Sequence, residues 1–521
     1  MPSPPHTPSI LRRIGQLWFV VTMCASSSAP AQDVLWQRDG ELSTSHFGSA
    51  VYPLGDQNDD GYADWAVYNG DEDDWSPWLS GLDFFYGGDP ADTTPYLSFR
   101  GEEGNPPVSI RQFKFADFNG DGFIDWMFVY YPFETDTGYI KFFSGGIQSD
   151  TIPEVAWTMS GFFNQNNTRG EVGLIGDHNG DGYDDFYYYD SRPSDLTTIY
   201  LGNPTWDFQV AYVTQGEPIF SGESRPGGVF GDINGDGFDD YATSGGDQHV
   251  TKFYFGSAEP DTVPDMIWQG GFYSLSTWSQ DLNSDGFDDI AVPRAETSID
   301  IHWGADTLSE TPTGTLQYGA CTSGTVTRLW PAKDFNGDNY EDLVVVDYAC
   351  NSGFGRIALF VGGPYLRSTP VWEENGTVNG LMVGIYCAVG VGDVNNDGID
   401  DLAVGCQNGF NRRGRVVIFS GDTTLILPAE EHQPIVDDFS LSAFPNPFNS
   451  TLSITLDIPL HQEISLSLFD ILGREAAVIH RGRLNSTTLN YTTPATLSSG
   501  IYFLRAATNT NSTMQKVVLL K

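Results

Sequence analysis

One nine-residue acidic segment occurs seven times along this 521-residue chain, and any fold proposed for it must repeat in step with that segment. The first copy is Asp56-Gln57-Asn58-Asp59-Asp60-Gly61-Tyr62-Ala63-Asp64, and the others begin at Asp117, Asp177, Asp232, Asp281, Asp334 and Asp393. Every copy has Asp at positions one, five and nine and Asn at position three. Position six is glycine except in the sixth copy, where Asn339 stands. A fixed period of this kind marks a repeat architecture, which spreads one core along a chain too long for a single globule.

Hard cations such as calcium take six to eight oxygen ligands at about 2.3–2.6 Å, and a short loop supplies them when alternate residues point inward. Positions one, three and five offer side-chain oxygens. A sharp turn at position six lets the carbonyl of position seven face the ion, and the carboxylate of position nine closes the shell. The expected ligands in the first three loops are Asp56, Asn58, Asp60, Tyr62 and Asp64, then Asp117, Asn119, Asp121, Phe123 and Asp125, then Asp177, Asn179, Asp181, Tyr183 and Asp185. Asp232, Asn234, Asp236, Phe238 and Asp240 follow, then Asp281, Asn283, Asp285, Phe287 and Asp289. The last two sets are Asp334, Asn336, Asp338, Tyr340 and Asp342, and Asp393, Asn395, Asp397, Ile399 and Asp401. Up to seven calcium ions are implied. Magnesium suits the set less well, because it keeps a small octahedron and its own waters. Asparagine tolerates left-handed geometry, so the sixth site is expected to be weaker rather than absent.

The EF-hand opens in the same way but needs a glutamate at position twelve and flanking helices. Position twelve here is Val67, Phe128, Tyr188, Thr243, Val292, Val345 or Val404, each in a β-prone run such as Leu343-Val344-Val345-Val346. The loop therefore belongs in a β-hairpin. Acids beside the last ligand, Asp184, Asp239, Asp288, Glu341 and Asp400, read as adding field to the ion or facing water.

Successive loops start 49 to 61 residues apart, which leaves room for four strands of five or six residues with their turns. That is one blade of a β-propeller. Small-residue strands such as Val389-Gly390-Val391-Gly392 precede the loops, and apolar strands such as Trp65-Ala66-Val67-Tyr68 follow them. Third strands end in aromatic-x-Gly, as in Phe85-Tyr86-Gly87. Fourth strands carry an aromatic near Phe99, Trp157, Tyr212, Trp268, Tyr318 or Trp372. The seventh loop has no following copy of that strand, whereas Val34-Leu35-Trp36-Gln37 is an extra one. The economical reading is ring closure, with the strand around Trp36 completing the last blade.

Beyond a polar stretch, 428–438, the loops stop and period-two alternation sets in. Leu452, Ile454, Leu456 and Ile458 share one face, as do Ile464, Leu466 and Leu468, which predicts a small immunoglobulin-like β-sandwich over 439–521. The fold class expected is thus all-β, a seven-bladed β-propeller over 32–427 followed by that sandwich.

At the N-terminus Arg12 and Arg13 precede Leu17-Trp18-Phe19-Val20-Val21 and then Ala29-Pro30-Ala31, the layout of an export signal over 1–31 cleaved after Ala31. The apolar run is too short to span a bilayer, so stable membrane insertion is not expected. In an oxidising setting Cys321 with Cys350 and Cys387 with Cys406 are the expected disulfides, and buried thiols are the alternative. The net charge of −44 repels nucleic-acid phosphates and anionic lipid, which removes nucleic acid as a direct partner.

The loops, with Phe47-Gly48-Ser49-Ala50 ahead of the first, resemble the FG-GAP repeats of integrin α-subunit propellers and their bacterial relatives. That resemblance covers about residues 32 to 427 and implies calcium in hairpin loops on one face. Phe444-Pro-Asn-Pro-Phe-Asn449, Phe469-Asp-Ile-Leu-Gly-Arg474, Leu497-Ser-Ser-Gly-Ile-Tyr-Phe503 and Lys516-Val-Val-Leu-Leu-Lys521 resemble the C-terminal sorting domain of type IX secretion cargo. This implies passage across the outer membrane by the type IX machinery, to the medium or the outer cell surface. No nucleophile with a base, His-Glu-x-x-His or phosphate loop is present in the sequence, so no catalytic residue is named. A calcium-held binding or adhesion module for an extracellular glycan or surface protein is the function expected. A lyase-like carbohydrate-active enzyme on the same scaffold is the alternative.

Overall fold

The computed structural model describes residues 32–425 and 440–521 except 42–45, 71–80, 101–107, 133–136, 161–170, 191–195, 216, 219–230, 246–249, 270–277, 294–297, 319–326, 348–349, 365, 377–384, 408–412, 458–462, 471–473, 484–487, 495–496 and 508–511. The expected leader, Cys321, Ile458 and the linker lie outside the described residues.

Among the described residues up to 425 the strands form seven four-stranded antiparallel sheets. In the first sheet Val51–Gly55, Asp64–Asn69, Gly81–Phe85 and Leu97–Arg100 pair in that order. The acidic loop joins the first and second strands, with Gly55 opposite Asp64, so it is the tip of a hairpin. The same placement recurs at Gly176 and Asp185, Lys333 and Asp342, and Gly392 and Asp401, each just past a register shift. These shifts let the extra residue re-aim the chain into the loop. The described residues contain only two short helical turns, Cys350–Gly353 and Thr423–Leu425, neither bounding an acidic loop. An EF-hand is thereby excluded.

The second strands are buried on both faces, as Asp342–Asp347 is along its whole length, because each sheet packs between two neighbours. Ala50 to Phe99 share one apolar cluster with Phe113 to Phe143 of the second sheet, and the second sheet shares the next with the third. Further clusters join the third sheet to the fourth, the fourth to the fifth and the fifth to the sixth. The cluster that holds Trp330, Val389 and Val417 also holds Val51 and Trp65, so the last sheets pack against the first. The result is a propeller-like ring.

Closure uses the N-terminal strand. Val34–Asp39 pairs antiparallel with Arg415–Phe419 and completes the sheet of Ile385–Gly392 and Asp401–Cys406. Arg415, nearly buried, holds Asp39 across that seam, with Nη2 3.0 Å from Oδ2. Trp36 packs edge-on against Trp65 and Phe85 of the first sheet, and its indole donates to the Asp92 carbonyl at 3.0 Å. The displaced strand therefore ties the last sheet to the first by pairing, packing and side-chain bonds.

The C-terminal segment folds as two sheets face to face. Ser440–Phe444, Thr451–Asp457 and Thr488–Thr492 form one, and Glu475–Arg483, Glu463–Phe469, Gly500–Ala507 and Ser512–Leu519 form the other. Leu452, Ile454, Leu456, Ile464, Leu466 and Leu468 lie in its core, as the alternation requires.

One expected disulfide is corrected. Cys387 and Cys406 are buried thiols, because a register shift places Cys387 opposite Gly405 and Cys406 opposite Ile385, on alternate faces of the hairpin. Cys350 is disulfide-bonded, and its expected partner Cys321 lies outside the described residues.

Candidate functional site

Each loop is held by its own backbone. In the first, Asp56 accepts the N–H groups of Asp60 at 3.1 Å and Gly61 at 2.7 Å, one on each carboxylate oxygen. Asn58 Oδ1 accepts from Asp60 N, and Asp60 Oδ1 accepts from Tyr62 N. The bonds to position one recur from Asp117, Asp177, Asp232, Asp281, Asp334 and Asp393, all between 2.7 and 3.2 Å. Position six is left-handed, with φ +89° at Gly61 and +69° at Asn339, so the sixth loop closes like the rest.

Position nine carries a second duty that the loop alone does not announce. Asp64 is wholly buried; Oδ2 accepts from Gln57 N at 2.8 Å and Oδ1 from Gly87 N at 2.7 Å. In the other loops the second donor is Gly145, Gly202, Gly256, Gly304, Gly362 or Gly421, the glycine of aromatic-x-Gly. A side chain on Gly256 would strike Phe238 Cβ and the Asp239 carbonyl, which accounts for glycine there. One buried carboxylate thus pins loop, second strand and third strand together.

Positions one, three and five are tied to one another by hydrogen bonds in every loop. Position three donates to the carboxylate of position five, at 2.9 Å from Asn58 to Asp60, and Asn119 also reaches Asp125 at 3.3 Å. The donors are all oxygens, which suits a hard cation and not a soft one. Burial pushes Asp64 and Asp401 up to about 7 and Asp125, Asp185, Asp240 and Asp289 up to about 8; backbone N–H bonds oppose the shift, and the acids at positions one and five of the same loop add to it. Asp342 moves the same way. Three carboxylates around one hairpin form a strongly negative pocket that a divalent cation would relieve. The donor chemistry therefore fits calcium. Among the described residues, however, no three His, Cys, Asp or Glu side chains are gathered at metal-holding distance. Each loop is instead closed by hydrogen bonds among its own groups.

Two residue sets behave differently from the sequence reading. Position two is buried between sheets and is polar in two loops, as Gln57 and His178; His178 bonds the Asp239 carbonyl at 2.7 Å and Tyr212 Oη at 2.8 Å. Burial holds its imidazole below the ordinary range, so it serves as a neutral strut. Of the acids at position eight, Glu341 is exposed as expected, whereas the four aspartates are half-buried. Asp184, Asp239, Asp288 and Asp400 each turn a carboxylate oxygen onto the main-chain N–H of Asp117, Asp177, Asp232 and Asp334, the first residue of the preceding loop.

Comparison with known proteins agrees with the two halves of this architecture. The model of the secretion system C-terminal sorting domain matches residues 442–520, and that of the FG-GAP repeat matches residues 388–419, which span the seventh loop and its strands. No curated protein matches the chain. Among solved structures, a fungal alcohol oxidase of the AA5 family in complex with copper is similar over 94% of this chain and 100% of its own, at 10% identity and a TM-score of 0.38. The chain thus carries an FG-GAP repeat at residues 388–419 and a sorting domain beyond it. Its residues 442–520 are a type IX sorting domain, which engages the type IX secretion machinery and marks the protein for the cell surface or the extracellular space. Among the described residues no helix is long and apolar enough to cross a membrane.

Proposed function

We propose that the seven loops bind calcium and that the ring they brace serves outside the cell as a binding or adhesion module. The observation that carries this reading is the recurrence, in all seven hairpins, of one oxygen-only set held by the same internal hydrogen bonds. Asp at one, five and nine and Asn at three would hold the ion, with the carbonyl of position seven. A bound calcium supplies charge neutralisation and cross-links the two strands of each hairpin. The chain's own residues do the rest: position nine pins the third strand, and position one gathers the turn. An extracellular glycan or surface protein is the partner class proposed.

The test is a screen of the purified chain against arrays of extracellular glycans and surface proteins, with calcium and with chelator, beside assays for reducing sugar and unsaturated sugar products. Saturable, calcium-dependent binding without turnover is expected. Turnover of a bound glycan would replace the module reading with an enzymatic one.

A further inference from the structure

Four of the five position-eight acids, Asp184, Asp239, Asp288 and Asp400, join their loop to the one before it. Asp239 Oδ2 accepts the N–H of Asp177 at 2.8 Å, while its own N–H donates to the Asp177 carbonyl at 3.2 Å. Asp184 holds Asp117 in the same two-bond clasp at 2.8 and 3.0 Å, and Asp288 holds Asp232 with both bonds at 2.9 Å. Asp400 accepts from Asp334 at 3.2 Å. The residue so held is the one whose carboxylate collects the N–H groups at positions five and six, so the clasp sets where the first proposed ligand starts. Room for the acid comes from the residue just ahead. Gly176 and Gly231 have φ of +68° and +54°, and a Cβ on either would run into the carboxylate of Asp239 or Asp288.

We propose that the position-eight carboxylate is a positioning residue for the metal site of the preceding sheet, not of its own loop. This rests on the calcium reading above. It makes the sites unequal: those starting at Asp117, Asp177, Asp232 and Asp334 are clasped. Those starting at Asp56 and Asp393 are followed around the ring by Ile124 and Ala63, which have no carboxylate. Ala63 keeps only the main-chain bond, 2.9 Å to the Asp393 carbonyl. Because the side chain contributes one hydrogen bond to the clasp, its share is separable from a charge effect. Asparagine keeps an accepting oxygen and loses the charge, whereas alanine loses both.

The experiment is peptide-resolved hydrogen exchange on the full chain across a calcium titration, in wild type, Asp239→Ala, Asp239→Asn and Ala63→Asp. Asp239→Ala is expected to raise the calcium midpoint of 177–185 by about tenfold, the effect of one charge-assisted bond, and that of 232–240 far less. Asp239→Asn should lie nearer wild type. Ala63→Asp, placed opposite Gly392 with its φ of +88°, should lower the midpoint of 393–401, and it keeps the test decisive should the alanine variant not fold. Equal effects of Asn and Ala, or a shift confined to 232–240, would overturn the clasp while leaving the calcium reading intact. A wild type whose loops show no calcium response would overturn both.

Discussion

At the scale of residues, positions five and nine look interchangeable in sequence and are opposite in the fold. Asp236 is exposed and works inside its own turn, whereas Asp240 is fully buried and accepts from Ile233 and Gly256. Asp240→Ala should therefore lose about 2–4 kcal/mol of stability even in chelator, because two buried N–H groups lose their acceptor. Asp236→Ala should cost little without calcium and weaken one site in its presence. Denaturant melts of both variants, with and without calcium, check this; equal losses in chelator would contradict it. The loop residues were legible because seven copies repeat the same types at the same spacing. What position nine and position eight do was not legible, since their partners lie on another strand or another sheet: Asp64 bonds Gly87, and Asp239 bonds Asp177. The cysteines teach the same lesson. An oxidising setting made Cys387 and Cys406 an expected pair, and a register shift next to Cys387 sets them out of line with each other. Alkylation of the denatured, unreduced chain should label both; protection of either would contradict the buried thiols.

Among the elements, the strand Val34–Asp39 has the largest consequence for its size. It supplies the fourth strand of the last sheet, an aromatic wedge against the first and the Asp39 partner of Arg415. Deleting residues 32–40 should open the ring, expose the edge of Arg415–Phe419 and lower the melting temperature sharply, which scanning calorimetry would register. A melt within a degree or two of wild type, about the resolution of such a comparison, would mean the ends are uncoupled. This element was visible in the sequence as a surplus: one more aromatic fourth strand than the loops ahead of it require. Its pairing partner was inferred from topology, and the side-chain bonds that reinforce the seam carry no sequence pattern of their own. In the C-terminal sandwich the inward faces of two strands, Leu452 to Leu456 and Ile464 to Leu468, were legible, because period two fixes which side chains turn inward.

For the whole molecule, one region supplies an address and the other a closed ring. Replacing residues 439–521 with an unrelated soluble domain should stop delivery to the surface or medium; fractionation that still finds the protein there would contradict the sorting role. Within the ring, the loops and the core clusters make the same circuit, so the charge on the hairpins and the packing between sheets are coupled. Ions that bind only the folded ring stabilise it by mass action, and numbers near one per loop are expected. The most direct measurement is calcium stoichiometry by elemental analysis of the purified chain, joined to its melting temperature before and after chelation. Several ions per chain, approaching seven, with a clear fall in melting temperature on their removal, are what the account predicts. A metal-free chain that melts at the same temperature with and without added calcium would contradict it.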